Sequence, residues 1–343
     1  MGVGQTAIAI ITALGLAPLQ PDLARDVGEP RSVSVVIPSY NHAKFVERTI
    51  RSIYTQTLRP SHLLVIDDGS RDDSVSVIER VLKDAPFNAE LVVRENRGLS
   101  ATLNEAIEKL PSSRYFAYLG SDDAWLTGFL EHRVALLERL PNAVLAYGDA
   151  YSIDADDSVI DCTVDWARYT DGDVREMLLD TIAPLSPTVV YRTAAIEDMR
   201  WNEKARLEDY EFYLRLSTRG DFAYDPQILS AWRQHGENAS DGTQMMMEER
   251  LAALDATAGL FDLSPRELAR RRRLIRFRAA QEFMRSGRKL DAIQKGFSNL
   301  TGAKSLNEIV RFVGGLATPS ARLKHRRSAS RAAASARYGR LDL

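Results

Sequence analysis

The chain has 343 residues, of which 45 % are hydrophobic and 27 % are charged, so it holds enough apolar side chain to fill a core, and disorder is excluded as its bulk state. A single cysteine, Cys162, excludes an intramolecular disulfide framework and a cysteine-rich zinc site. This cysteine usage favours a reducing compartment, and we expect a cytoplasmic protein.

The net charge of -2 hides an asymmetry along the chain. Residues 241–343 carry 21 Lys and Arg against 10 Asp and Glu, whereas residues 1–240 carry 24 against 37. The two parts therefore have opposite signs, which predicts different electrostatic roles for them.

The first 30 residues read as an apolar N-terminal extension. Its apolar stretch, Val3–Leu19, is shorter than the roughly 20 residues that cross a bilayer comfortably. No Lys or Arg precedes this stretch, in contrast to a secretory signal. We therefore expect a surface or interfacial segment that does not direct export.

After Pro30, β-branched apolar runs alternate with segments of helical spacing. The predicted strands are Ser32–Ile37, Leu63–Ile66, Glu90–Val93 and Tyr115–Leu119. The predicted helices between them are Phe45–Gln56, Val75–Leu82 and Ala101–Leu110. This alternation predicts an α/β fold with a Rossmann-like, mostly parallel sheet flanked by helices.

A polar cluster follows each of the predicted strands. The clusters are Pro38–Asn41, Asp67–Ser70, Asn96–Gly98 and Gly120–Asp123. Ligands bind beyond the carboxyl ends of the strands in such a sheet, so we expect the clusters to meet in one crevice. The first turn has no G-x-G-x-x-G, and the chain has no P-loop pattern, which disfavours a dehydrogenase and an ordinary NTPase.

Two of these clusters contain adjacent carboxylates. Asp122 and Asp123 raise each other's cost of ionisation unless a cation neutralises them, and their oxygens suit Mg²⁺ or Mn²⁺ shared with a diphosphate. An ordinary acidic turn is the alternative, because Asp is favoured in turns. Asp68, after the second strand, can accept hydrogen bonds from a base or a ribose.

Four segments, in this order and spacing, resemble the family-2 glycosyltransferases: VVIPSYN (Val35–Asn41), DDGS (Asp67–Ser70), ENRGLSATLNEAI (Glu95–Ile107) and GSDDAW (Gly120–Trp125). The resemblance continues to Ser240. It implies a GT-A fold over 31–240, a nucleotide-sugar donor, a divalent metal and inversion at the anomeric carbon. The composition beyond it predicts a helical region over 241–318 and a basic, mobile tail over 319–343.

The resemblance also implies roles for individual residues. Those assigned to the nucleotide are Pro38, Tyr40, Asn41, Asp68, Asn96, Arg97, Asp122 and Arg233. Within this set, Asp68 would accept from the base, typically uracil, Asp122 would contact the ribose side and Arg233 a phosphate.

The implied metal ligands are Asp123 and His235, with Mn²⁺ or Mg²⁺ as the ion. Gly120 stands where many relatives have a further Asp, so one outer carboxylate is absent. The other histidines, including His42, are expected to be structural.

The Glu208-Asp209 pair begins a predicted helix. The resemblance makes Asp209 the general base, with Glu208 as the second candidate, because inverting transfer needs a carboxylate on the acceptor side. Stabilisation of a helix N-terminus by acidic side chains would explain the pair without catalysis.

These features predict an inverting transfer from a UDP-sugar to a glycan or glycolipid acceptor, in surface polysaccharide or glycoconjugate synthesis. One alternative is a sugar-phosphate nucleotidyltransferase, although Pro38–Asn41 does not supply its Gly-rich, Arg-containing loop. The other is a catalytically silent nucleotide-binding or scaffold protein, against which the set of Asp123, Asp209 and His235 argues.

The basic C-terminal part includes Arg270–Arg273 and, later, Arg326 and Arg327. It can form a solvated face paired with the acidic domain, bind a polyanionic glycan, or attach the protein at the inner membrane face. No recognised motif for nucleic acid accompanies the charge, and no nucleic-acid partner is expected.

Overall fold

The computed structural model describes Leu23 and residues 28–235 and 242–343. The predicted interfacial segment Val3–Leu19 lies outside the described residues. The same is true of 236–241, where the predicted glycosyltransferase domain ends.

Eleven strands are formed by the described residues. They are β1 (Val33–Ser39), β2 (His62–Asp67), β3 (Asn88–Val93), β4 (Tyr115–Tyr118), β5 (Ala124–Trp125), β6 (Ala143–Gly148), β7 (Tyr151–Ile153), β8 (Val159–Cys162), β9 (Val190–Arg192), β10 (Asp221–Asp225) and β11 (Ser230–Arg233). The main sheet has the order β3-β2-β1-β4-β9-β6-β10, and the small sheet has the order β5-β11-β7-β8. In the main sheet, only β9 runs antiparallel to its neighbours.

Twelve α-helices accompany these strands in the described part of the chain. They are α1 (Val46–Tyr54), α2 (Ser74–Leu82), α3 (Leu99–Lys109), α4 (Phe129–Arg139), α5 (Arg175–Leu179), α6 (Thr193–Ile196), α7 (Glu208–Leu216), α8 (Thr243–Thr257), α9 (Pro265–Arg285), α10 (Lys289–Phe297), α11 (Leu306–Ala317) and α12 (Ser320–Tyr338). No helix among these residues is both long and apolar enough to span a membrane.

The predicted α/β fold is confirmed. All four predicted strands and all three predicted helices of the first half are present, and their order produces the parallel core of the main sheet. Every residue of β1 is buried, as expected for a central strand covered by helices on both faces. One apolar core lies under α1, α2 and α4, and the other lies under α3, α7 and the C-terminal helices.

The C-terminal helices pack onto the sheet domain through ion pairs as well as apolar contacts. Arg271 on α9 is buried, and its guanidinium lies 2.6 Å from carboxylate oxygens of both Glu176 and Asp180. Arg278 donates to Thr181 Oγ1 at 2.9 Å. These arginines of α9 therefore hold the basic C-terminal part against the acidic sheet domain. This agrees with the alternative in which the basic part pairs with the acidic domain.

The predicted mobile tail is replaced by helix α12 and a docked C-terminus. Val159 N–H donates to Gly339 O at 3.0 Å, and Leu341 N–H donates to Asp157 O at 3.0 Å. The Tyr338 ring packs against Tyr151, with the ring centroids 5.3 Å apart. Alanine is the best helix former, so the Ala-rich composition that suggested mobility instead forms a helix once its end is anchored.

Candidate functional site

The loops that follow β1 and β2 are tied together at the carboxyl edge of the sheet. Asn41 has φ 54°, a left-handed conformation that Asn tolerates. Its N–H donates to Ser70 Oγ at 2.8 Å, and its Oδ1 accepts from Arg71 N–H at 2.8 Å. Asp67 in turn accepts from the N–H and the hydroxyl of Ser70. The first two polar clusters therefore form one rigid rim.

Asp68 extends this rim to the third cluster. Its carboxylate accepts from the N–H of Arg97 at 2.8 Å and the N–H of Gly98 at 2.7 Å, and it pairs with the Arg94 guanidinium. The residue is buried, so most of its hydrogen-bonding capacity shapes the loop after β3. Its predicted contact with a base remains a prediction.

The remaining residues assigned to the nucleotide differ in exposure. Pro38 is buried within β1, next to Ile66 of β2. Tyr40, Asn96 and Arg97 are exposed at the rim, where a ligand can reach them. Their positions agree with the expected crevice, and their contacts with a nucleotide remain predictions.

Three side chains from separate parts of the chain meet at the end of β4. His235 Nε2 lies 2.9 Å from Asp122 Oδ2, and His42 Nδ1 lies 3.7 Å from Asp122 Oδ1. One ligand atom from each of the three residues lies within 4.8 Å of the others, a grouping that can hold a metal ion. His42 also contacts Ser121 Oγ at 2.8 Å.

This cluster changes two assignments. The sequence assigned the metal to Asp123 and the ribose side to Asp122, but the carboxylate gathered with the histidines is that of Asp122. His42 was expected to be structural, yet it belongs to the cluster. Its position directly after Asn41, beyond the carboxyl end of β1, is the sequence signal that could have identified it.

Asp123 faces the interior instead. Its Oδ1 accepts from the backbone N–H of Arg233 at 2.8 Å, and the residue is buried. Burial, and then the neighbouring charge of Asp122, raise the pKa of Asp123 well above its ordinary value. Asp123, in the turn that leads from β4 to β5, therefore holds β11 in place and so positions the strand that leads to His235.

The guanidinium of Arg233 is also directed into the protein. Its Nε donates to Asp122 O and its Nη1 donates to Asp154 O, both at 2.7 Å. Its Nη2 lies 2.7 Å from a carboxylate oxygen of Asp157, and its Cζ lies 4.8 Å from the centre of the Phe45 ring. These contacts give Arg233 a structural position that holds the Asp122 backbone, and its contact with a phosphate remains a prediction.

Gly120 leaves space for both carboxylates of the pair. A Cβ atom at this position would lie 3.0 Å from Asp122 Oδ1 and 3.0 Å from Asp123 Oδ2. Both carboxylates thus lie next to the glycine, and an additional side chain there would press on both.

The acidic pair predicted to contain the general base begins α7, as expected. Burial raises the pKa of Asp209 to about 6, and the nearby positive charge of Arg250 opposes this rise. Burial, followed by the charge of Asp209, raises the pKa of Glu208 to about 8. Two carboxyl groups with separated pKa values can hold different protonation states near neutral pH. Asp209 is then the one that is ionised.

Arg250 reaches this pair from α8, which sequence analysis did not connect with the site. The neighbouring Glu249 carboxylate accepts from the N–H of Arg206 at 2.9 Å, which fastens α8 beside the start of α7. Arg250 Nε is buried and has no hydrogen-bond partner among the described residues. Because the α8 segment carries no local motif, only the folded packing reveals its arginine.

Comparisons with known proteins agree with this architecture. Residues 34–182 match the model of "Glycosyl transferase family 2". Chondroitin synthase of Escherichia coli is 26 % identical over 215 residues, which make up 61 % of this chain and 30 % of the synthase. The chain spans about a third of the length of several other curated relatives as well.

Two solved structures share the fold at 16 % sequence identity. A mannosyltransferase of Pyrobaculum calidifontis in complex with GDP-Man and Mn²⁺ has a TM-score of 0.56, with 97 % of this chain and 94 % of the other covered. TarS 1-349 of S. aureus in complex with UDP-GlcNAc has a TM-score of 0.50, with 79 % and 89 % covered. These likenesses show that the chain has a GT-A fold, and its residues 34–182 are similar to glycosyl transferase family 2.

Proposed function

We propose that this protein is an inverting glycosyltransferase that moves a sugar from a UDP-sugar to a hydroxyl group of a glycan or glycolipid acceptor. The nucleotide-sugar complexes of the two structural neighbours support this class of donor. The similarity to chondroitin synthase supports a role in polysaccharide synthesis, although this chain spans 30 % of that enzyme.

The observation that carries the proposal is the convergence of Asp122, His235 and His42. These residues come from the ends of β4, β11 and β1, and the hydrogen bond between Asp122 and His235 spans 113 positions of the sequence. Arg233 and Asp123 hold the strands that bring them together. A surface scaffold has no need for such a buried support beneath a carboxylate and two imidazoles that are only partly exposed.

The cluster fits a divalent metal. It combines one carboxylate with two imidazoles, whereas Mg²⁺ is bound mainly by oxygen ligands, and the mannosyltransferase neighbour is in complex with Mn²⁺. Asp122, His235 and His42 would hold the ion, which when bound supplies positive charge to the diphosphate leaving group. Mn²⁺ is therefore the ion that we propose for this site.

Asp209 is proposed as the general base of the transfer. It takes the proton from the acceptor hydroxyl while that oxygen forms a bond to the anomeric carbon of the sugar. The bond between this carbon and the diphosphate oxygen breaks at the same time, and UDP leaves with the electron pair. Burial and the charge of Asp209 raise the pKa of Glu208 further, so it is the less readily ionised of the two and the second candidate for the base.

Calorimetric titration with UDP, GDP and dTDP, each with and without Mn²⁺, tests the donor site. We expect UDP to bind most tightly, and only with Mn²⁺ present. Transfer activity is then measured with a panel of UDP-sugars. If no nucleotide binds in the presence of Mn²⁺, the crevice is not a working donor site and the silent scaffold becomes the better description.

The variant Asp122→Asn provides a matched test of the metal cluster, with His132→Asn as the control. His132 lies near Asp225 and Gln227, away from the cluster. We expect nucleotide binding to fail in the first variant and to persist in the second. Equal binding by both variants would contradict the proposed role of the cluster.

A further inference from the structure

Helices α10 and α11 expose an unusual amount of apolar surface, which we call the apolar face. Its side chains are between 43 % and 84 % exposed: Leu290, Ile293, Phe297, Leu306, Val310 and Val313. Their spacings of three and four residues place each set of three on one side of its helix. Two such rows of exposed apolar side chains, on helices that contact each other, mark a site of interaction with a protein or a membrane.

The apolar face is not the face that these helices pack into the protein. On α10 the buried residues are Ala292 and Gly296, and on α11 the buried residue is Phe312. A Cβ on Gly296 would lie 2.2 Å from the Phe312 ring, so the two helices are in close contact there. Each helix therefore has one apolar side turned to the core and a second one turned to solvent.

The strongly basic helix α12 begins beside the start of α10 and the end of α11, the two helices that carry this face. Its first residue, Ser320, has its Cβ 3.6 Å from the position that a Cβ on Gly287 would occupy, just before α10. Lys289 Nζ donates to Leu316 O at 2.7 Å and thereby closes the gap between the end of α11 and the start of α10. The α12 segment has six Lys and Arg and no Asp or Glu. An apolar surface and an uninterrupted cationic helix are thus neighbours.

We propose that the apolar face docks onto an anionic lipid surface, with the arginines of α12 contacting the headgroups. Apolar side chains beside cationic ones are the pattern of interfacial helices that lie in the plane of a membrane. Each Lys or Arg near an anionic surface adds to the electrostatic attraction between the protein and that surface. A second copy of the chain fits less well, because it would bring a second C-terminal part of the same positive charge onto the first.

This proposal also narrows the set of basic residues that the sequence suggested for membrane contact. Arg271 is buried against Glu176 and Asp180, and Arg272 pairs with Asp255 at 2.8 Å, so these residues of the Arg270–Arg273 run face protein carboxylates. The exposed arginines of α12, including Arg326 and Arg327, remain available for lipid.

Co-sedimentation of the full chain with vesicles tests the proposal. The probes are vesicles of neutral phosphatidylcholine alone and of phosphatidylcholine with phosphatidylglycerol. We expect binding to the anionic vesicles that is roughly tenfold or more above binding to the neutral ones, and that weakens with added salt. Equal binding to both vesicles, or binding to neither, would overturn the proposal.

Two triple variants separate the apolar and basic contributions. Replacing Leu290, Leu306 and Val310 with Ser, and separately Arg322, Arg326 and Arg327 with Gln, should each reduce anionic binding roughly tenfold or more. The control Val93→Ser removes an exposed apolar side chain at β3 and should bind as the parent does. Unchanged binding by the serine variant would assign the attachment elsewhere and refute the apolar face.

Two further measurements keep the outcomes distinct. Calorimetric UDP binding should be unchanged in both triple variants, which shows that each is folded and separates this proposal from that of the donor site. Light scattering in solution reports self-association. A dimer that the serine variant loses, without any vesicle binding by the parent, would identify a second copy as the occupant.

Discussion

His235 Nε2 lies 2.9 Å from Asp122 Oδ2. This contact joins the residues after β11, in the small sheet, to the turn after β4, in the main sheet. His42 approaches the same carboxylate from the loop after β1, at 3.7 Å. The side chain of Asp123, one position along, is turned inward to the backbone of Arg233. Two adjacent carboxylates thus have separate tasks, one in the crevice and one in the support beneath it.

Mn²⁺ binding should therefore depend on Asp122 and His235. Loss of a residue that only supports a ligand costs roughly 10-fold to 100-fold in metal affinity. Asp122→Asn and His235→Gln each remove a direct ligand, so we expect each to weaken Mn²⁺ binding by at least that much. Calorimetric titration of Mn²⁺ in the presence of UDP measures the effect, with His132→Asn as the control. If Asp123→Asn abolished Mn²⁺ binding in a folded protein while Asp122→Asn left it intact, the assignment made from the sequence would be restored.

The pH dependence of transfer should report the ionisation of Asp209. A base must be deprotonated, and the pKa of this carboxyl is raised to about 6, so the rate should fall as the pH drops through about 6 instead of near 4. Asp209→Asn should fold, bind UDP and lose transfer by ~10² or more. Initial rates across pH 4.5 to about 9 on the parent and the variant measure this. Glu208→Gln is the paired control, and a larger loss in that variant would exchange the two roles.

Arg250 should set the position of that acidic limb. Its positive charge opposes the rise in the pKa of Asp209, so Arg250→Met should move the limb to higher pH. Arg250→Lys keeps the charge and should largely restore the parent profile. Arg272→Met, which removes a pairing partner of Asp255, serves as the control. A uniform fall in rate at every pH for Arg250→Met would indicate a merely structural role.

The strands and helices of the first half of the main sheet could be predicted because the sequence patterns that indicate them are local. The strand β1 is a β-branched run ended by a turn, and its apolar residues make the continuous pattern of a strand covered on both faces. The convergence of polar clusters after β1, β2 and β4 followed from parallel topology alone. This is why the neighbourhood of Asn41, Asp68 and Asp122 was predictable before the structure.

Side-chain direction was not predictable in the same way. The sequence Asp122-Asp123 does not show which of the two carboxylates faces the crevice. That depends on the backbone turn, which is held by Arg233, 111 positions from Asp122. His42 lacked an acidic neighbour in the sequence, and its partner Asp122 reaches it only through the fold. The prediction of a mobile tail was wrong because composition does not show tertiary contacts. The packing of Tyr338 on Tyr151, which fixes the end of α12, is such a contact.

The structural position of Arg233 leads to a prediction about stability. The side chain is buried, pairs with Asp157 at 2.7 Å and donates to two backbone carbonyls. Removing one member of a buried pair leaves the other charge uncompensated, so Arg233→Met should lower the free energy of unfolding by about 3–5 kcal/mol. Arg337→Met removes an exposed pair with Asp165 and should cost about 0–1 kcal/mol.

Urea unfolding of the two variants measures these costs, and UDP binding below the transition distinguishes the two roles considered for Arg233. A phosphate contact predicts weak UDP binding with nearly unchanged stability. A structural support predicts the opposite, a large loss of stability. UDP binding then weakens only through displacement of the Asp122 backbone. Asp157→Asn is the third variant in this comparison. It removes the charge that pairs with Arg233, at a residue that is not assigned to the nucleotide or the metal. Asp157 also lies 3.1 Å from Arg48 Nη1, so Arg48→Met is measured beside it. A loss of stability in Asp157→Asn that is similar to that of Arg233→Met and much larger than that of Arg48→Met would confirm that the ion pair, and not a ligand contact, is what Arg233 supplies.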